Sequence, residues 1–255
     1  MTVYFIGAGP GDPELITVKG QGLIRSCPVI LYAGSLVPEA VLQGHSAELL
    51  VNTAELHLSQ IITLLAEAHA KGQDVARVHS GDPSLYGAIG EQIRELRALR
   101  IPFEIIPGVT ATAACAALLE AELTLPEVAQ TVIFTRYGHN SPMPTGEELG
   151  ALASHRATMA IHLGVQHLPR IVEELLPHYG ADCPIAVVHR ASWPDQDWVR
   201  GTLADIEARV AEKGFRRTAL ILVGRVLSAE DFAGSALYAE ATRHLFRKDG
   251  AGSTD

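Results

Sequence analysis

The stretch VYFIGAGPGDPEL, residues 3–15, decides the fold. It begins as a short apolar run from Val3 to Ile6, then passes through Gly7, Gly9 and Gly11 to Asp12-Pro13. Uninterrupted apolar runs of this length read as strands buried on both faces, the kind found in parallel sheets covered by helices. Asp followed by Pro signals a helix start: the carboxylate accepts from free N–H groups, and the proline ring suits the first helical position. The stretch therefore reads as strand, glycine turn, helix. The pattern recurs. An apolar strand over 75–79 runs into Ser80-Gly81-Asp82-Pro83, and a strand ending at Ile106 runs into Pro107-Gly108-Val109-Thr110. In a parallel sheet all three turns lie at the carboxyl edge, where ligands bind.

Working outward, strands are predicted at 2–8, 29–32, 47–51, 75–78 and 103–106. Helices are predicted at 13–26, 58–71, 85–99 and 109–122. Leu58, Ile61, Ile62, Leu65 and Ala68 recur at helical spacing, and Gly72 ends that segment. Strands separated by helices make parallel βαβ units with right-handed crossovers. The second half predicts strands at 131–135, 158–162, 184–189, 198–201 and 218–224, with helices at 168–176 and 203–213. Loops are expected at 137–146 and 191–196, and a terminal helix within 228–246. The stretch LTLPEVAQ, 123–130, marks a change of composition. The expected organisation is an N-terminal α/β domain over 1–122, a C-terminal α/β domain over 123–246 and a disordered tail over 247–255. The fold class is α/β: two domains with mostly parallel sheets flanked by helices, and a cleft between them as the ligand site.

Composition removes other classes. Of 255 residues, 47% are apolar and 19% charged, which excludes general disorder. The formal charge of −9 argues against nucleic acid as the main partner. It leaves room for a small anionic substrate in a locally basic cleft. No apolar run approaches the ~20 residues of a membrane span. The N-terminus lacks a basic region followed by a long apolar one, so neither a signal nor a transit peptide is expected. Cys27, Cys115 and Cys183 are odd in number and far apart, so they read as small core residues, with no metal site. A cytoplasmic protein is expected.

Gly7-Ala8-Gly9-Pro10-Gly11 approximates a dinucleotide-binding turn, but the third glycine arrives one residue early. The ribose-binding acid is also missing, since the next acid after the second strand is Glu39. There is no phosphate-binding Gly-Lys-Ser/Thr and no Gly-x-Ser-x-Gly.

Read together, VYFIGAGPGDPEL (3–15), SGDPSLYG (80–87) and IPGVTA (106–111) resemble the tetrapyrrole methylases, which transfer methyl groups from S-adenosylmethionine. LTLP (123–126) and Gly164 match more loosely. The resemblance runs through the whole chain up to its terminal tail. Within the family, YAGSLV (32–37), QTVIFTR (130–136) and ASWPDQ (191–196) resemble the precorrin-4 C11-methyltransferase branch of vitamin B12 biosynthesis. The loop RYGHNSP (136–142) departs from it, because a further basic residue is expected near His139. The resemblance implies two α/β domains in a homodimer, with S-adenosylmethionine folded into the cleft. It implies donor contacts from Pro10, Ser80, Gly81, Asp82, Leu85, Thr110, Ala111, Leu163 and Ala191. It also implies a tetrapyrrole substrate, either precorrin-4 or, by the same chemistry, cobalt-precorrin-4, another precorrin or uroporphyrinogen III. A non-catalytic corrinoid carrier is the alternative outside this family.

Methyl transfer to a ring carbon needs no nucleophilic side chain. The protein aligns sulfur, methyl and carbon and excludes water. A proton is lost, and Asp82, His79 and His139 are candidate bases, with Asp82 preferred for the catalytic role. A capping carboxylate is nevertheless a weak base. The acetate and propionate groups of a tetrapyrrole need local cations on an acidic chain. Arg136, His139 and Arg190 are the candidates by position, with His162 and Arg25 behind them. Trp193 and Trp198 read as packing or dimer residues.

Overall fold

Two five-stranded sheets carry the chain. The computed structural model describes residues 1–138, 141–230 and 232–235. The first sheet contains β1 (Val3–Gly7), β2 (Val29–Tyr32), β3 (Leu49–Asn52), β4 (Val75–His79) and β5 (Phe103–Ile106), in the order β3-β2-β4-β1-β5. Every pairing in it is parallel. Helix α1 (Val18–Ser26) packs on one face, and α2 (Leu58–Ala70) and α3 (Ile89–Ala98) on the other. The period-two alternation of β1 divides its side chains between them: Ile6 meets Ile24, Ile30 and Ile106, while Val3 and Phe5 meet Leu65, Val75 and Leu96.

The second sheet contains β6 (Val132–Arg136), β7 (Thr158–His162), β8 (Pro184–His189), β9 (Asp197–Thr202) and β10 (Ala219–Val223), ordered β6-β7-β10-β8-β9. Only β6 and β7 pair in parallel here; β10 runs against both β7 and β8, and β9 against β8. Five of the eight described pairings are thus parallel, and the antiparallel ones are confined to this sheet. On one face pack α5 (Leu149–Ala153), α6 (Leu168–Tyr179) and α7 (Ile206–Lys213), burying Met159, Ile161, Ile171, Leu175 and Ile206. The other face is covered from the first half of the chain. Helix α4 (Ala111–Leu118) sets Cys115, with Leu119 just beyond it, against Ala160, Ala186, Val188 and Leu222. Small residues on both sides let helix and sheet approach closely.

The strands lie where the sequence places them, with ends differing by a residue or two. The helix starts differ more. The helix expected over 13–26 is broken: Pro13–Leu15 is a single 3-10 turn capped by Asp12, and α1 begins afresh behind the Thr17 cap. The helix expected from 85 begins only at Ile89. Tyr86 and Ala88 adopt left-handed backbone angles, and the Asp82 carboxylate is bound to loop N–H groups instead of a helix end. α7 starts at Ile206 because Asp205 turns back to accept from the Thr202 N–H. α5, at five residues, is too short to show a helical period in sequence. The terminal helix and tail expected beyond 235 lie outside the described residues. All three cysteines are buried, and burial pushes their thiols up to about 11 for Cys27, about 12 for Cys115 and about 11 for Cys183. Among the described residues no His, Cys, Asp and Glu cluster could hold a metal, and no helix is long and apolar enough to cross a membrane.

Candidate active site

The site grows from the order of the first sheet. β1 lies between β4 and β5, with Gly7 beside His79 and Ile6 beside Ile106. The three glycine turns therefore leave the sheet side by side, and they touch through bare backbone. Ala8 N–H donates to His79 O (2.8 Å), Gly81 N–H to Gly9 O (2.7 Å) and Gly9 N–H to Gly81 O (3.3 Å). Asp82 ties the second turn to the third: Oδ1 accepts from Ser84 N–H (2.8 Å) and Oδ2 from Gly108 N–H (2.9 Å). A Cβ on Gly108 would lie 2.2 Å from Gly81 O and 2.8 Å from Gly7 Cα. Only glycine permits that approach.

The second sheet closes over these turns. The loop after β8 is bolted to the first turn by Trp193, whose indole Nε1 donates to Pro10 O (2.8 Å) and whose ring presses on Gly11. Asp12 N–H donates to Ser192 Oγ (3.0 Å). Between the two sheets lies a cavity of about 920 Å³, toward the upper end of the ~300–1,000 Å³ of small-molecule sites.

The cavity gathers nearly all the residues singled out in the sequence. Pro10 comes from the first turn, and Ser80, Gly81, Asp82 and Leu85 from the second. Thr110 and Ala111 come from the third turn and the start of α4. Leu163 follows β7 and Ala191 follows β8. Arg136, Arg190, His79 and His162 also line it. His139 lies outside the described residues. Arg25, on α1, is not in the lining, and Trp198 sits partly exposed on the edge strand β9.

Comparison with known proteins gives this geometry a family. The family model for Tetrapyrrole (Corrin/Porphyrin) Methylases matches residues 2–207. The chain belongs to the tetrapyrrole methylase family. A precorrin-4 C(11)-methyltransferase of Pseudomonas aeruginosa is 75% identical over 247 residues, 97% of this chain and 99% of the relative. The X-ray structure of a cobalt precorrin-4 methyltransferase, a cobalamin biosynthetic enzyme, superposes with a TM-score of 0.87 at 40% identity, covering 89% of this chain and 96% of that one. A uroporphyrin-III C-methyltransferase from Thermus thermophilus, solved with S-adenosyl homocysteine, gives a TM-score of 0.73 at 31% identity over 89% of this chain and 94% of that one.

In this methylase two of the three histidines in the described cavity lining, His79 and His162, are held neutral. Burial lowers His79 to about 3, with the charge of Arg77 beneath it adding to the effect. Its Nε2 is buried with no hydrogen-bond partner among the described residues. Arg77 is itself buried, donating to Gln92 Oε1 and Leu31 O, and burial lowers it to about 10. Burial also lowers His162 to about 4; its Nε2 lies 3.3 Å from Thr112 Oγ1 and its ring 5.1 Å from that of Tyr86. The unfolded chain protonates both near 6.5, so acid favours the unfolded state. Their contribution to stability is complete above about pH 7. It is lost from pH 6.5 down to about 4 for His162 and about 3 for His79, by up to ~1.4 kcal/mol per unit for each. Urea unfolding at about pH 7.5 and pH 5 will show a lower midpoint at pH 5; an unchanged midpoint would contradict this account of the site.

The backbone strain of the methylase's lining, and two of its arginines, were not visible in sequence. Tyr86 and Leu163, with Arg190 and Thr218, hold left-handed backbone angles (φ 57, 55, 49 and 54°), a strained conformation that gathers around functional sites. Arg216 and Arg217 precede β10. Because β10 is antiparallel to β7 and β8, its beginning lies beside their ends, which places this pair at the cavity. A sequence reading that assumed a parallel strand there puts the pair at the far edge. The adjacent arginines just before an apolar strand were the one available signal.

Proposed function

We propose that this methylase transfers a methyl group from S-adenosylmethionine to C11 of precorrin-4, giving precorrin-5 in cobalamin biosynthesis. The observation that carries this reading is the 75% identity, over almost the full length of both chains, to a precorrin-4 C(11)-methyltransferase. The name of the solved relative adds cobalt-precorrin-4 as a second substrate for the same site.

The residues present fit the methyl donor. The glycine-lined backbone of Ser80–Asp82, where a side chain would fill the space, and the start of α4 line one cavity. When bound, S-adenosylmethionine supplies an electrophilic methyl group on a sulfonium sulfur and departs as S-adenosylhomocysteine. Pro10, Ser80, Gly81, Leu85, Thr110, Ala111, Leu163 and Ala191 hold it. These groups are fixed at strand ends and lose little freedom on binding. Asp82 acts as a positioning residue: both its oxygens already accept backbone N–H bonds, so it shapes the donor pocket and is poorly placed to take a proton. Arg136 and Arg190 line the same cavity and are assigned to the tetrapyrrole acceptor. The two sheets form two domains divided at 122/123, with α4 reaching from the first onto the second sheet. The enzyme works as a cytoplasmic homodimer.

Calorimetric titration with S-adenosylhomocysteine, with NAD as the comparison, tests the reading. The expected result is saturable binding of the homocysteine and no heat from NAD. NAD binding alone would overturn it and return the first glycine turn to a dinucleotide role. Binding of a corrinoid without S-adenosylhomocysteine binding or turnover would make the protein a carrier.

A further inference from the structure

The cavity reverses the charge of the molecule. On a chain of formal charge −9, its described lining contains four arginines, Arg136, Arg190, Arg216 and Arg217, against a single acid, Asp82. That acid has both oxygens engaged. Two of the four arginines are also engaged. The Arg136 guanidinium donates to Ser141 O (3.1 Å) and Pro142 O (3.4 Å), fastening the loop after β6. Arg190 is ion-paired, its buried Nε 2.9 Å from Asp195 Oδ1 but not aligned for a hydrogen bond, and its guanidinium sits 4.0 Å over the Trp193 ring. Arg216 and Arg217 differ: among the described residues neither makes an ion pair, a hydrogen bond or a ring contact.

The backbone presenting them is held in place. Thr218, the next residue, is β-branched and sits at φ 54°, a conformation such residues adopt only when their surroundings impose it. Its carbonyl accepts from Arg190 N–H (2.9 Å), pinning the turn to the end of β8. Arg190 is itself left-handed, at φ 49°. Two strained turns are thus fastened to each other at the cavity edge, and they bring two solvent-exposed, uncommitted arginines to its rim.

We infer that Arg216 and Arg217 are the carboxylate-binding pair of the site, gripping neighbouring acidic side chains of a polycarboxylate macrocycle. This rests on the function proposed above. A guanidinium offers a planar fork of donors matched to a carboxylate, and two adjacent forks select for closely spaced acids. Arg136, hydrogen-bonded to its own loop, and Arg190, ion-paired to Asp195 and stacked on Trp193, shape the cavity wall; the free pair supplies the attraction that an acidic molecule otherwise lacks.

The test uses the full chain and uroporphyrin III, an octacarboxylate porphyrin, as the binding probe, followed by fluorescence quenching. Arg216→Ala and Arg217→Ala each weaken uroporphyrin binding on the order of tenfold, while S-adenosylhomocysteine affinity stays within about twofold. Arg216→Lys and Arg217→Lys recover part of the loss, since they keep the charge without the fork. Arg94→Ala, an equal charge change on α3 away from the cavity, leaves the probe's affinity unchanged. In steady-state assays the alanine variants raise KM for precorrin-4 and leave kcat unchanged, because the lost contact is equal in ground and transition states. Unchanged uroporphyrin affinity, or a loss that falls on S-adenosylhomocysteine instead, overturns the inference. Methyl transfer to precorrin-4 with an unmoved KM removes the pair and leaves the C11 assignment standing. Weakened uroporphyrin binding in a chain that does not methylate precorrin-4 keeps the pair and removes the assignment.

Discussion

Replacing Gly108 with alanine will both destabilise the protein and abolish donor binding. The new Cβ would come within 2.2 Å of Gly81 O and 2.8 Å of Gly7 Cα, and both are backbone atoms held in the sheet-end network. A flexible side chain could swing away; two paired backbones cannot move without breaking the Gly9–Gly81 and Asp82–Gly108 hydrogen bonds. Overpacking of this kind costs roughly 3 kcal/mol, or about 10 °C in Tm for a chain of this size. The displaced turns are also the donor pocket, so S-adenosylhomocysteine affinity falls beyond measurement even at temperatures where the variant stays folded. Gly22→Ala is the control. That glycine lies within α1, and its Cβ would meet nothing within 4 Å. There alanine raises stability by about 0.5–1 kcal/mol, through helix propensity alone. Equal effects at the two positions would show that the three turns do not interlock as described.

The second large effect separates positioning from proton transfer at Asp82. Alanine there frees Ser84 N–H and Gly108 N–H together and loosens the second turn from the third. Charge-assisted bonds of this kind are worth roughly 1.5–3 kcal/mol each, so donor affinity should fall about 10- to 100-fold. Asparagine keeps the shape but turns an NH₂ group toward one of the two N–H donors, giving an intermediate loss. With donor saturating, Asp82→Asn should retain most of kcat and the wild-type pH profile. If Asp82 were the base, the opposite split would appear: S-adenosylhomocysteine affinity near wild type, and kcat lost at every pH.

The parts of this molecule legible in its sequence are those set by neighbouring residues. The apolar runs at 29–32, 158–162 and 184–189 are strands with those same ends, because burial on both faces leaves no alternative pattern, and the half-exposed edge strand 103–106 keeps its ends as well. The three glycine turns were legible as a site because a parallel sheet delivers every such turn to one edge. What escaped was non-local. Asp82-Pro83 reads as a helix cap, yet its carboxylate finds a partner 26 residues away at Gly108, and the helix waits until Ile89. The strand direction of β10 is set by its pairing with β7 and β8, which no local period records. Arg216 and Arg217 moved to the cavity with it. The Ala-rich segment of α4 announces close packing, but not that its partner is the second sheet.

The most direct measurement is the fate of a labelled methyl group. The purified chain is incubated with precorrin-4 and S-adenosylmethionine carrying a ¹³C methyl, and the product is read by NMR. The account predicts one new ¹³C methyl resonance, assigned to C11, with one equivalent of S-adenosylhomocysteine formed. A methyl group at any other ring carbon, or no transfer by a chain that binds both molecules, would contradict it.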